Sequence, residues 1–188
     1  MTTALLITLA IMAVVAMAMV AIFNRLIALG RRCDQASADI DVQLKQRFDL
    51  IPNLVETVKG YAGHERGTLD AVMRARQASA QAATPGAAMQ AEAALGAAMG
   101  RLMAVAEAYP DLKASANFAQ LSDELSDIEN KIAAARRYLN SAVNEYNVTR
   151  EQFPANVIGS SFGFLSKDLV VVAGADRARV DTAPSIKF

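Results

Sequence analysis

His64 is the only histidine in the chain and Cys33 the only cysteine. A helical zinc pair needs a second ligand about four residues away on the same face, and Glu65 is adjacent to His64 instead. In a glycine-rich stretch, His64 reads as a surface or capping residue. Cys33 has no thiol to pair with in the chain, so no internal disulfide framework is possible, which fits a reducing cytoplasm. It falls on an apolar helical stripe and reads as a buried structural thiol. The acids Asp41, Asp49, Glu56, Glu65 and Asp70 are spread over both sides of an expected turn. Asp123, Glu124, Asp127 and Glu129 follow one another on a single helix, in the spacing of a solvated face. No carboxylate pair stands alone among apolar residues, where its pKa would be shifted for acid–base work. The glycine stretch from Gly60 to Gly67, GYAGHERG, lacks the preceding strand and the lysine–serine ending of a phosphate loop. Gly159-Ser160-Ser161 has no histidine after it and is no nucleophile elbow. No catalytic, cofactor or metal site is expected, and the chain reads as a protein other than an enzyme.

Polar groups do recur on the last long helix. Asn130, Asn140, Asn144 and Asn147 occupy positions where asparagine is a poor helix former. They read either as buried amides that fix register at some cost in stability, or as a ligand-binding strip. Asp127 and Lys131 have the spacing of an intrahelical ion pair. Arg136 and Arg137 read as part of a solvated face.

These residues need elements to carry them, and the first element is apolar. Residues 1–24 hold no charged side chain, and from Ala4 to Phe23 the only polar residue is Thr8. At about 1.5 Å per residue, twenty residues cover the ~30 Å hydrocarbon core of a bilayer. A cleavable signal peptide would carry basic residues ahead of its apolar stretch. No Lys or Arg precedes Arg25, so the segment reads as a retained transmembrane anchor. Arg25, Arg31 and Arg32 flank it on the C-terminal side, before the first acid at Asp34. The positive-inside rule then places the N-terminus outside and the following domain in the cytoplasm. Formal net charge is zero, which gives no reason to expect a nucleic-acid partner.

The apolar stripe continues beyond the anchor through Leu26, Leu29, Cys33, Ala36, Ile40, Leu44, Phe48 and Ile51. Pro52 is expected to kink this helix rather than end it. The first reversal is placed near Gly60; the alternative is one helix running on to about Ala82. Thr84-Pro85 marks the start of an Ala/Met-rich helix that ends before Tyr109-Pro110. The longest pattern runs from Asn117 to Gln152. Phe118, Leu121, Leu125, Ile128, Ile132, Ala135, Leu139, Ala142 and Tyr146 form a near-continuous heptad seam. That seam suits the core of one subunit or a coiled coil between subunits equally well. Asn117 is the expected cap, with Gln120 as its capping-box partner, and Pro154 the expected stop. The expected fold is all-α: an anchor over residues 1–24, an antiparallel four-helix bundle over 25–153, and a non-helical extended tail over 154–188. In that tail, Phe162, Phe164 and the run Leu169, Val170, Val171 and Val172 are expected to make intersubunit contacts. Phe162 and Phe164 could also meet the lipid interface. The alternative is a disordered tail.

Several stretches resemble the LemA family. They are Ile40 to Glu65, IDVQLKQRFDLIPNLVETVKGYAGHE; Tyr109 to Pro154, including FAQLSDELSDIENKIAAARRYLNSAVNEYNVTREQFP; NVIGSSFGF from Asn156 to Phe164; and the terminal Ile186-Lys187-Phe188. With the anchor, the likeness covers nearly the whole chain. It implies a bacterial cytoplasmic-membrane protein with a short outer N-terminus and a helical bundle inside the cell. It implies no reaction. The chain departs from the family pattern near Ser37, where many members carry tryptophan, at Gly63 and Gly67, and after Phe164, where LSKDLVVVA is more apolar than usual.

The function expected from these features is that of a membrane-anchored scaffold that self-associates into homo-oligomers. The alternative is an adaptor for another membrane protein, such as an envelope quality-control protease. The lipid bilayer is the one non-protein partner expected.

Overall fold

A computed structural model of the chain describes residues 2–170; Val171 and Val172, expected to make tail contacts, lie outside the described residues. The described chain is helical, with no strand, and its first element is a long apolar helix. Among the described residues six helices follow one another: α1 (Thr2–Tyr61), α2 (Arg66–Gln81), α3 (Pro85–Ala108), α4 (Pro110–Lys113), α5 (Ala116–Glu151) and α6 (Ala155–Ser161). Contacts divide them into two units. The first takes in Met1–Val42 and Ile132–Val170, the second Gln43–Lys131. α1 and α5 contribute to both.

In the second unit, α1 ends at Tyr61 and α2 begins at Arg66, so the first reversal lies just beyond Gly60 and the chain does not continue as one helix to Ala82. Gly63 sits in this reversal, where an added Cβ would lie 3.2 Å from the Lys59 carbonyl. Pro52 lies inside α1 without interrupting it. A proline cannot donate to the carbonyl four residues earlier, here that of Phe48. Arg76 of α2 supplies the missing donor: its Nε donates to the Phe48 oxygen at 2.8 Å, and its guanidinium lies 3.5 Å from the centre of the Phe48 ring. α2 packs against α3. The Thr84 hydroxyl accepts from the Ala87 amide at 3.2 Å and caps α3, with Pro85 in the first turn. α5 starts at Ala116, two residues earlier than a cap at Asn117 would give. Its cap is Ser115, whose Oγ accepts from Phe118 N–H, while Asn117, the expected cap, instead donates to Thr57 on α1 at 3.2 Å. Ile51, Leu54 and Val58 of α1, Val72 of α2, Leu95 and Leu102 of α3 and Leu112 of α4 are fully buried, as Leu125 and Ile128 of α5 nearly are.

In the first unit, Leu26, Leu29, Cys33, Ala36 and Ile40 of α1 are buried, as are Ile132, Leu139, Ala142, Val143 and Tyr146 of α5. Burial raises the Cys33 pKa above its ordinary value, so the thiol stays neutral. The segment after Pro154 corrects the expectation of a wholly non-helical tail. α6 forms from Ala155 to Ser161 and buries Ala155, Ile158 and Gly159. Its length, barely two turns, hides it from any periodicity reading.

Candidate functional site

The apolar segment Ala4 to Phe23 opens α1, and its most hydrophobic window has no residue buried against the protein. Leu5, Met12, Val15 and Val20 are about half to two-thirds exposed. By length and composition this helix is able to cross a membrane. A helix apolar on all sides and uncovered by its own chain needs an apolar surround.

The C-terminal side of the molecule returns to the end of this segment. Leu26 packs with Ala155 and Ile158 of α6 in a small cluster that Ile22, Phe23 and Phe164 also join. Phe23 meets Phe162 edge-on at 5.0 Å between ring centres and Phe164 at 5.6 Å. Two glycines make this possible. At Gly159 a Cβ would lie 3.3 Å from the Arg150 side chain, so any larger residue here would make Arg150 give by a few tenths of an ångström. Gly163 has φ +74°, and Phe164 N–H donates to Gly159 C=O at 2.9 Å, a left-handed stop to α6 that favours glycine.

From Phe164 the chain runs without regular structure along α5, and α5 side chains hold its backbone. Arg150 Nε donates to the Phe164 carbonyl at 2.6 Å, and Tyr146 O–H to the Leu165 carbonyl at 2.9 Å. Asn147 binds both polar groups of one residue, accepting from Lys167 N–H at 3.0 Å and donating to Lys167 C=O at 2.8 Å. Asn140 does the same to Val170, at 2.8 Å and 3.0 Å. The spacings match. Seven residues of helix rise about 10 Å, and three residues of extended chain span about 10 Å. Lys167 Nζ also pairs with Asp34 at 2.7 Å, and Arg32 with Glu145 at 2.9 Å. The hydrogen bond that Lys167 donates to Asp34 raises the Lys167 pKa, outweighing the burial that opposes it.

The asparagines are therefore neither bundle-register amides nor an open ligand strip: two clamp the chain's own backbone, and Asn130 and Asn144 are exposed. An extended tail needs partners for its backbone, and α5 side chains meet that need from Phe164 to Val170. Sequence periodicity misses this clamp because nothing in it distinguishes an asparagine that binds peptide from one that faces water. The remaining expected residues fall as follows. Phe118, Leu125, Ile128, Ile132, Leu139 and Tyr146 are buried, and Leu121 half-buried. Arg25, Arg31 and Arg32 are exposed on α1 beyond the apolar segment. Phe162 and Leu169 are exposed, whereas Phe164 and Val170 are half-buried.

Elsewhere, Arg47 on α1 is only 5 % exposed and lies between Glu92 and Glu129, the latter at 3.0 Å. Burial alone would lower its pKa, but the hydrogen bonds and charges of the two carboxylates hold it above its ordinary value. Glu92 also accepts from Ser79 at 2.7 Å. His64 is exposed and lines a shallow cleft with Glu65, Thr68 and Arg101. Among the described residues, no group of three or more His, Cys, Asp or Glu is placed to hold a metal.

Together these features define a class: an all-helical protein with an apolar N-terminal helix able to span a membrane and a C-terminal collar fixed at the end of that helix. The profile of the LemA family matches residues 36–188, and the chain belongs to that family. It is also similar to the magnetosome protein MamQ of Magnetospirillum gryphiswaldense, with 23 % identity over 76 % of this chain. The magnetosome proteins MamQ 1 and MamQ 2 of Paramagnetospirillum magneticum match at the same identity and coverage. The alignment spans 62 % of the length of each relative. Family and apolar helix fit a membrane-associated protein of a non-catalytic kind.

Proposed function

We propose that the protein is a membrane-anchored structural scaffold without catalytic activity, spanning the bacterial cytoplasmic membrane once and self-associating through its helical domain. The carrying observation is the seating of the C-terminal segment against the end of the anchor. The groups that would make α5 a binding strip hold the chain's own backbone instead. Such an arrangement serves to fix a body at a membrane. The relatives are named as magnetosome proteins, which accords with this reading.

The helical body is an antiparallel four-helix bundle of α1, α2, α3 and α5. In the second unit, Arg47 meets Glu129 and Thr57 meets Asn117, so positions on α5 fall as those on α1 rise. Orientation follows from Arg25, Arg31 and Arg32, which keep the body in the cytoplasm. Native mass measurement of full-length protein in mild detergent tests the scaffold. Large homo-oligomers from purified protein alone are expected. A monomer or dimer that copurifies with a different membrane protein would replace this reading with the adaptor. A cysteine introduced at position 31 in a Cys33→Ser background should resist impermeant maleimide in intact cells; ready labelling would reverse the orientation.

A further inference from the structure

We infer that the collar at the end of the anchor is a second membrane contact, with Phe162, Val157 of α6 and Phe153 entering the lipid interface beside Phe23. The inference rests on the anchor spanning the bilayer and goes beyond the scaffold reading, because it assigns a lipid-binding surface outside the span.

The depth of the collar follows from its neighbours. Ile22 and Phe23 close the apolar run, and Arg25 stands two residues beyond it, at the level where a guanidinium can reach headgroups. α6 packs against Ile22, Phe23 and Leu26, a stretch that rises only about 6 Å along α1. It cannot be far above the boundary if Phe23 is at it. One face of α6 is closed by Leu26, Ala155 and Ile158. The open side of α6 carries Asn156, Ser160 and Ser161 together with Val157, 55 % exposed, and the helix is flanked by Phe153, 82 % exposed, and Phe162, 66 % exposed. Three large apolar side chains exposed within ten residues of chain are a poor surface in water, and a good one at the boundary between acyl chains and headgroups. The contact is continuous with the anchor itself, since Phe162 touches Phe23. That continuity favours lipid over a second protein as the occupant. Beyond Phe164 the clamp carries the chain away from this level. The Leu165 carbonyl binds Tyr146, whose ring lies 3.8 Å from where a Gly30 side chain would begin, and Lys167 reaches Asp34. Asp34 is eleven residues past Phe23, or about 16 Å of helix. Leu169, though exposed, therefore belongs to the aqueous side.

The chain contains no tryptophan, so single substitutions serve as depth reporters in the full-length protein. Phe162→Trp, Met12→Trp and Leu169→Trp variants are reconstituted in phosphatidylcholine–phosphatidylglycerol bilayers carrying acyl chains brominated either near the headgroup or at mid-chain. Phe162→Trp should show blue-shifted emission and lose most of it to the shallow bromines. Met12→Trp should be quenched more by the mid-chain bromines, and Leu169→Trp by neither. Val157→Trp repeats the test on α6 itself, so that a local disturbance at position 162 does not decide the matter. Phe162→Trp and Val157→Trp as unquenched as Leu169→Trp, with Met12→Trp quenched, would overturn the collar while leaving the anchor intact. Blue-shifted but unquenched emission would likewise overturn it and give the surface to a second copy of the chain. Met12→Trp unquenched would remove the anchor and the collar together.

Discussion

Removing the two clamping asparagines should free the C-terminal segment without unfolding the helices. Asn140 and Asn147 each make two hydrogen bonds to one residue's backbone, at 2.8–3.0 Å. At a net ~0.5–1.5 kcal/mol per bond, an alanine at either position removes about 1–3 kcal/mol from the docking of residues 164–170. Neither side chain belongs to the apolar seam, so α5 itself loses little. Local opening then becomes roughly 5- to 150-fold more frequent in each single variant, with larger effects in the double variant. Amide hydrogen exchange by mass spectrometry reads this directly, because the Lys167 and Val170 amides are the donors concerned. Tryptic cleavage after Lys167 gives a second readout. Asn144→Ala is the matched control, since Asn144 is exposed on the same helix. Helical circular dichroism should be unchanged in every variant. If the double variant protects residues 164–170 as well as wild type, or if Asn144→Ala releases them equally, the clamp has been assigned wrongly.

Three further outcomes are expected. Arg76→Ala should cost about 1.5–3 kcal/mol through its charged hydrogen bond to the Phe48 carbonyl, and less when Pro52→Ala restores the native helical donor; a thermal double-mutant cycle showing no coupling would refute the pairing. Arg47→Ala should remove the charged hydrogen bonds to Glu92 and Glu129 and cost about 1.5–3 kcal/mol, whereas Lys45→Ala, on an exposed pair with Asp49, should change stability by no more than about 1 kcal/mol; equal melting shifts would contradict this. The Lys167 pKa is raised above its ordinary 10.5 in the folded chain, so its stabilisation is complete below that pH and is lost as pH rises through the folded value. The emission of Leu169→Trp should accordingly shift above about pH 10.5, and Asp34→Asn should abolish that shift; a shift that persists in Asp34→Asn would place its origin elsewhere.

What could be read from the sequence was what repeats. Leu26, Leu29, Cys33, Ala36 and Ile40 recur at helical spacing, and all are buried. The apolar run from Ala4 to Phe23 was legible because length and composition alone define it. What escaped depends on single contacts between distant segments. Pro52 announced a lost hydrogen bond but not that Arg76 would supply its replacement. Asn117 stood where a cap belongs, yet Ser115 two residues earlier serves, and Asn117 instead reaches Thr57. Two turns of α6 carry too few residues for periodicity to register. Their order comes from packing on Leu26, which lies more than a hundred residues away in the chain.

The same contrast bears on the most distinctive part of the sequence. Two of the stretches that carry the resemblance to the LemA family meet at the collar. One supplies Asn140, Tyr146, Asn147 and Arg150; the other supplies Gly159, Gly163, Phe162 and Phe164. Each of these residues acts mechanically, as a backbone clamp, a close approach, a left-handed stop or a ring against Phe23. A glycine that admits a neighbouring side chain and an asparagine that imitates a strand edge are as demanding of residue type as catalysis is. In a protein whose family implies no reaction, a distinctive motif of this kind is accounted for by the placement of one short segment at the end of an apolar helix. On that account, damage to the motif should first appear as a loss of order beside the membrane.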